Sequence, residues 1–276
     1  MKLKSLTLLT ALFASSLAFA GNFNTSEVRI GEPQNQIYGK LYQPENAKGK
    51  QPIIIYSHGL GGTHEILERF AKAFAEKGIT GYAIDYRGGG EKSQSSGKTT
   101  EMSVLTEIRD LEEVIATVRK WDFVDPNKIV LLGESQGGAV SMLTAAKNAD
   151  EIAGLVAYYP ALSIQDDAHK NHPNFNKIPD VERKFGIINL GKIYYTDAYN
   201  LNAFDKIVNY RKPMLLLHGS KDPIVANKYS QQAHSLMPNS EFHLIDGAGH
   251  SFDTPKHFPI AFDYTEQYLK KIGVMK

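Results

Sequence analysis

A serine flanked by glycines lies where a strand pattern changes into a helix pattern, and this junction constrains the fold most strongly. The run Lys128–Leu132 is apolar and β-branched, as in a fully buried strand, and it leads into Gly133–Gly137 with the sequence GESQG. On a tight strand-to-helix turn, Ser135 points its Oγ out of the sheet. The glycines are needed because neighbouring segments pass too close for a Cβ atom. The pattern predicts an exposed, conformationally strained serine.

The start of the chain has the composition of a secretory leader. Two lysines precede an apolar run, Leu6–Phe19, and the small residues Ala18 and Ala20 suit a cleavage site. A membrane anchor is the alternative, but the run is shorter than a span and contains Thr and Ser. We therefore expect residues 1–20 to be a signal peptide and residues 21–276 to be exported, to a periplasm or out of the cell.

Composition narrows the class of protein further. A net charge of +1, without runs of like charge, argues against a nucleic-acid or anionic-membrane surface. The chain has no cysteine, so no disulfide can assist folding. The length after the leader is typical of one α/β domain.

Strand and helix patterns alternate along the chain. The predicted strands are Glu27–Glu32, Gln36–Tyr42, Pro52–Ser57, Thr80–Asp85, Lys128–Leu132, Ile152–Tyr159, Lys212–Gly219 and Glu241–Asp246. Helices are predicted from Thr63 to Gly78, over Glu101–Lys120, after Ser135, over Val225–Met237 and over Lys256–Leu269. Such alternation requires parallel strands joined by right-handed crossovers. The predicted fold class is α/β, with a mostly parallel central sheet and helices on both faces.

Two local details belong to this prediction. The first helix should place Ile66 on its apolar face together with Leu67 and Phe70, because these positions follow a 3.6-residue period. The dipeptide Asp125-Pro126 should form a turn before the strand that leads to Ser135.

The segment Ala161–Tyr210 interrupts the alternation between the sixth and seventh strands. It is about fifty residues long without a strand pattern, which is too long for an ordinary connection. A lid, an insertion and disorder are the alternatives, and its many aromatic residues argue against disorder. We expect a cap over the carboxyl ends of the strands, where open α/β sheets bind ligands.

A serine needs a base to accept its proton and a third group to orient that base. In this sheet architecture the three residues follow in the order Ser, Asp or Glu, His, each after a strand. Asp222 follows the penultimate strand and His250 follows the last one. Ser135, Asp222 and His250 are therefore the predicted catalytic residues.

Two nearby residues are weaker candidates. His218 precedes Asp222 in the chain, so we interpret it as a packing or hydrogen-bonding histidine. Asp246 is only four residues from His250, and it is expected to shape the loop rather than to orient the imidazole.

The oxyanion that forms when a serine attacks a carbonyl carbon needs two backbone N–H donors. Gln136 follows the nucleophile, and Leu60 lies in the glycine-rich loop His58–Gly62 after the third strand. These two residues are the predicted oxyanion hole. The histidines lack metal-ligand spacing, so we expect neither a metal nor a cofactor.

The combined motifs resemble the α/β-hydrolase superfamily, and more narrowly its cinnamoyl/feruloyl esterase-like members. The resemblance covers nearly the whole chain after residue 20. It rests on HGxxG at 58–62, Asp85–Gly88, Met102–Asp110, Ser135–Gly138, Ile178–Asp180 and Gly247–His250. The chain departs from the narrower group in having Glu134 where that group usually has histidine.

The resemblance implies a serine esterase acting on hydroxycinnamate-like esters through an acyl-serine intermediate. In that group an acidic residue of the insertion meets the phenolic hydroxyl, and Asp167 best matches it, with Asp166 beside it. Alternatively, the two carboxylates are a solvated pair on the cap surface. Other functions left open are a short-chain carboxylesterase or thioesterase, a peptidase of this fold, and a non-catalytic binding protein.

Overall fold

The computed structural model describes residues 21–276, so the predicted leader lies outside the described residues. Within this range the chain forms ten strands and eight α-helices. The strands are β1 (Phe23–Ile30), β2 (Ile37–Pro44), β3 (Gln51–Ser57), β4 (Thr80–Ile84), β5 (Val124–Glu134), β6 (Gly154–Tyr158), β7 (Val181–Lys184), β8 (Ile188–Gly191), β9 (Met214–Gly219) and β10 (Ser240–Ile245). The helices are α1 (Glu68–Glu76), α2 (Val104–Val118), α3 (Ser135–Lys147), α4 (Ile164–Asn171), α5 (Lys192–Tyr199), α6 (Ala203–Ile207), α7 (Lys228–Leu236) and α8 (His257–Lys271).

Eight of these strands form one sheet in the order β1-β2-β4-β3-β5-β6-β9-β10. The first two pairings along this order are antiparallel, and all the later ones are parallel. The predicted mostly parallel sheet is therefore confirmed. Because parallel strands end at the same edge, the loops after β3, β5, β9 and β10 meet above the middle of the sheet.

The sheet is buried on both faces, as expected for parallel strands. Alternate residues of one strand enter opposite halves of the core: Ile53 and Ile55 of β3 pack on the side of α2 and α3, whereas Ile54 and Tyr56 pack on the side of α1 and α8. None of the helices in residues 21–276 is both long enough and apolar enough to cross a membrane.

Two local predictions are wrong. Asp125 and Pro126 belong to β5, because a bulge in the pairing with β3 after Gln51 lets the strand continue past the proline. Ile66 is 40% exposed, because the first turn, His64–Leu67, is a 3₁₀-helix. A 3₁₀ turn has about three residues and rotates this position away from the apolar face.

The insertion between the sixth and seventh strands of the sheet contains a hairpin. β7 and β8 pair antiparallel beside α4, α5 and α6, so the expectation of a strand-free segment is wrong. Both strands have only four residues, too few for a clear periodic pattern. The cap is joined to the body where Ser103, at the N-terminus of α2, donates its hydroxyl hydrogen to Asp197 of α5 (2.5 Å).

Candidate active site

Ser135 lies directly after β5 as the first residue of α3, in a backbone conformation that side chains rarely adopt (φ 50°). The turn requires its flanking glycines. A Cβ atom at Gly133 would overlap the carbonyl oxygen of Gly137, and one at Gly137 would overlap the backbone oxygens of Ser57 and His58 at the end of β3. Close packing of α3 against the sheet therefore produces the strained turn that presents the serine Oγ.

The three predicted catalytic residues meet at the carboxyl edge of the sheet. Ser135 Oγ lies 2.9 Å from His250 Nε2, and His250 Nδ1 lies 2.7 Å from Asp222 Oδ2. Asp222 comes from the loop after β9, and His250 comes from the loop after β10. The arrangement allows the imidazole to accept the serine proton while the carboxylate orients it.

Both carboxylate oxygens of Asp222 have hydrogen-bond partners. Its Oδ1 receives the N–H groups of Ile224 (2.8 Å) and Val225 (3.0 Å), and its Oδ2 faces both His250 and His218. Burial acts to raise the pKa of Asp222, but the hydrogen bonds from both histidines and from Val225 outweigh it and hold the pKa well below its usual range. The group is therefore an anion at neutral pH.

The two rival residues occupy other positions. His218 is buried, with Nε2 directed at Val225 O (2.9 Å) and at Asp222 Oδ2 (3.2 Å). His218 therefore contacts the Asp222 carboxylate and not the serine. Asp246 accepts a hydrogen bond from the Ser220 hydroxyl (3.3 Å), so it belongs to the loop and not to the imidazole.

The loop after β3 is held close to the serine. Its N–H groups at Gly59, Gly61 and Gly62 donate to Glu134 Oε1 (3.0 Å), Gly89 O (3.0 Å) and Gly59 O (3.1 Å), respectively. Within residues 21–276, the Leu60 N–H donates to no protein acceptor. The Gln136 N–H is likewise free of an intrahelical acceptor, because it lies in the first turn of α3.

The side chain of His58 shapes the same loop. Its Nε2 accepts the Tyr86 N–H (3.1 Å), so Nδ1 must carry the hydrogen that is shared with Gly59 O (2.7 Å). Burial lowers the pKa of His58. The imidazole of His58 therefore stays neutral, with its hydrogen on Nδ1, and supports the loop through these two hydrogen bonds.

A cavity of about 280 Å³ opens above the serine and contains both predicted oxyanion-hole residues, Leu60 and Gln136, in its wall. Its other walls come from the cap and from the loop after β9. Cap side chains in the lining are Ile164, Asp167, Phe185, Tyr194 and Tyr195. The volume is near the lower end of small-molecule pockets and suits one small acyl group.

The structure separates the two acidic candidates of the cap. Asp167 lines the cavity and accepts a hydrogen bond from the Ser163 hydroxyl (2.7 Å), whereas Asp166 accepts one from Tyr229 (2.7 Å) outside the lining. Asp167 is exposed to solvent in the open cavity. A ligand bound in the cavity would have to displace water from the Asp167 carboxylate.

Two further buried carboxyl groups adjoin the site and were not predicted. Glu107 of α2 accepts the Gln136 side-chain N–H (2.8 Å), and Tyr194 donates its hydroxyl hydrogen to Gln136 Oε1 (2.9 Å). Glu134 binds Gly59 and Tyr159. The sequence did carry one signal for the burial of Glu107: it lies three or four residues from Val104 and Leu111 and next to Ile108, on the core face of α2.

Comparison with known families identifies the class. A family model described as serine aminopeptidase, S33, matches residues 48–186, half of the chain, and a model described as alpha/beta hydrolase fold matches residues 170–252. The chain belongs to this family of α/β hydrolases.

Individual similar proteins include one that is described as a putative esterase/lipase. Est1E from Butyrivibrio proteoclasticus, solved with bound ferulic acid, superposes with a TM-score of 0.80 at 25% identity, covering 88% of this chain and 98% of that one. Putative esterase/lipase 2 of Mycoplasma pneumoniae is 25% identical over 81% of this chain and 91% of its own length. Quorum-quenching protein AidA of Acinetobacter baumannii is 34% identical, but over only 44% of this chain and 38% of its own length.

Proposed function

We propose that the protein is an exported serine carboxylic ester hydrolase that acts on hydroxycinnamate-type esters. The observation that carries the proposal is the hydrogen-bonded series from Ser135 through His250 to Asp222, at the base of a cavity with an unpaired Leu60 N–H among the described residues. Nucleophile, base and orienting group lie at the distances that acyl transfer requires.

The first half of the reaction forms an acyl-serine. Ser135 Oγ attacks the ester carbonyl carbon while its proton passes to His250 Nε2, and the carbonyl oxygen becomes an oxyanion. The N–H groups of Leu60 and Gln136 stabilise that oxyanion. The tetrahedral intermediate then expels the alcohol, which takes the proton from His250.

The second half releases the acid. Water gives a proton to His250 Nε2 and attacks the acyl carbon, and collapse of the second tetrahedral intermediate returns the proton to Ser135 Oγ. The carboxylate of Asp222 stabilises the imidazolium that forms in both halves.

The cavity lining supports the acyl group of the proposed substrate. Tyr194 and Tyr195 suit a flat ring, and Asp167 suits a hydroxyl at its edge. A bound ring would remove water from the Asp167 carboxylate, so a substrate without the hydroxyl would leave that carboxylate with only its hydrogen bond from Ser163. The expected discrimination is about 1 to 3 kcal/mol. The likeness to a protein solved with ferulic acid favours the same class.

An aminopeptidase is the second candidate. The family description names that activity, and the Asp167 carboxylate at the cavity could pair with a free α-ammonium group instead of a phenol. A short-chain carboxylesterase or thioesterase also remains open, because the catalytic residues do not select the acyl group.

The decisive experiment is a substrate panel. We expect turnover of methyl ferulate and methyl coumarate above that of methyl cinnamate, acetyl and butyryl esters, a butyryl thioester and an aminoacyl anilide. Ser135→Ala should abolish all activity, whereas Ser235→Ala on exposed α7 is the matched control and should not change it. Asp167→Ala should remove the preference for hydroxylated acids but retain the rate on cinnamate.

Other results of the substrate panel would replace or overturn the proposal. Preferential cleavage of the aminoacyl anilide would replace the esterase proposal with the aminopeptidase. A wild-type preference for acetyl or butyryl esters would replace the hydroxycinnamate class. Turnover unaffected by Ser135→Ala would overturn the mechanism.

A further inference from the structure

Glu134, the residue before the nucleophile, binds the oxyanion loop at Gly59 and the ring of Tyr159 that packs on His250. It is the last residue of β5 and is 7% exposed. Its Oε1 accepts the Gly59 N–H (3.0 Å), and its Oε2 accepts the hydroxyl hydrogen of Tyr159. The Tyr159 ring lies against the His250 imidazole, with 4.7 Å between ring centroids.

These contacts link three functional groups. Gly59 directly precedes Leu60 in the oxyanion loop, and a Cβ at Gly59 would lie 2.8 Å from Glu134 Oε1 and 3.0 Å from the Ser135 Cβ. The loop therefore rests on both side chains. Tyr159 has a left-handed backbone conformation (φ 36°), which directs its ring between Glu134 and His250.

The hydrogen bonds suit a carboxylate. Gly59 N–H can only donate, so Oε1 must be an acceptor, and Oε2 accepts from Tyr159. Burial raises the pKa of Glu134 above its usual range, and the hydrogen bonds from Tyr159 and Gly59 and the charge on His250 offset only part of that rise. The other titratable groups facing the cluster are Asp222, against His250, and Tyr158, beside Tyr159.

We propose that Glu134 is a positioning residue that ties the oxyanion loop to His250, and that its negative charge favours the protonated imidazole formed during catalysis. The inference rests on the proposed ester hydrolase function and adds a positioning residue to its site. A carboxyl group with a purely structural role would affect stability, but it would not alter the pH dependence of the reaction.

Three variants test the two parts of the proposal. Glu134→Gln keeps the shape and both hydrogen bonds, since its amide NH₂ can donate to the Tyr159 oxygen, but it removes the charge. Glu134→Ala removes both bonds. Tyr159→Phe keeps the ring on His250 and removes one bond. Tyr268→Phe is the matched control, because within residues 21–276 its buried hydroxyl bonds only to the backbone of Leu155 and Pro213.

For Glu134→Gln, the acidic limb of kcat/KM should move to lower pH by about half a unit or more, because an anion near the imidazole is lost. The plateau should fall by about three- to tenfold, the rate equivalent of half to one unit. Glu134→Ala should lower kcat by about a hundredfold with little change in KM, as when an oxyanion donor is misplaced. Tyr159→Phe should lower kcat by roughly tenfold. Tyr268→Phe should change neither kcat nor the pH limb.

The same variants are compared by the rate at which a fluorophosphonate labels Ser135, which requires no knowledge of the ester. An acidic limb of Glu134→Gln that coincides with the wild type overturns the charge contribution. Glu134→Ala kinetics equal to those of Tyr268→Phe overturn the positioning role. A wild type that neither hydrolyses an ester nor reacts with the phosphonate overturns the proposed function and, with it, this inference.

Discussion

The carboxyl group of Glu107 is buried in α2 with no exposed surface, and burial raises its pKa from 4.5 to about 8. The folded protein therefore holds this proton up to about pH 8, whereas the unfolded chain releases it near pH 4.5. Between these values the folded state binds more protons, so the free energy of unfolding falls as the pH rises. The difference of about 3.5 units corresponds to about 5 kcal/mol over the whole window.

Glu107→Gln should remove this loss of stability. The amide is nearly isosteric and neutral at every pH, and its oxygen can still accept the Gln136 N–H. Near pH 4.5 the variant should be as stable as the wild type or about 1 kcal/mol less stable, because its NH₂ gains no certain acceptor. At pH 9 it should be more stable than the wild type by several kcal/mol.

Urea unfolding at pH 5, 7 and 9 measures the difference between the two proteins. Contributions from other titrating groups, such as Asp222, cancel in that difference. Glu112→Gln, a solvent-accessible position on the same helix that pairs with Lys147, serves as the control and should show no such trend. A stability difference between wild type and Glu107→Gln that is constant across the three pH values would refute the reasoning.

Three further predictions concern the site, its turn and the leader. Asp222→Asn should lower kcat by about 10⁴ with little change in KM, because the imidazole loses its orienting anion, and Asp246→Asn showing that signature instead would contradict the assignment. Gly137→Ala should destabilise the fold by several kcal/mol in urea unfolding, because its Cβ overlaps the oxyanion loop, whereas Gly249→Ala should not, since its Cβ would meet only a proline carbon at 4.0 Å. The exported protein should be cleaved after Ala20, and an intact mass that retains residues 1–20 would exclude this.

Local rules explain why so much of the catalytic geometry could be predicted. The turn at Ser135 is specified by residues adjacent in sequence, since the glycines permit a backbone that other residues avoid. Asp222 and His250 follow from topology alone, because parallel strands deliver their following loops to one edge of the sheet. Two of the wrong predictions were also local: a 3₁₀ turn exposes Ile66, and a bulge carries Pro126 into β5.

Only the tertiary structure decided which hydrogen-bond partners the buried polar groups have. Glu107 falls on the apolar face of α2 and Glu134 ends the buried strand β5, but their burial is tolerated only because hydrogen-bond partners arrive from distant parts of the chain. Gln136 is 29 residues from Glu107, and Gly59 is 75 residues from Glu134. Which of the two cap carboxylates lines the cavity likewise depends on the orientation of α4, which brings Asp166 to the Tyr229 hydroxyl and Asp167 to the cavity wall. Sequence patterns determined at which edge of the sheet each catalytic loop lies. The burial of charged groups and their pairing depend on contacts between distant residues, which only the folded chain creates.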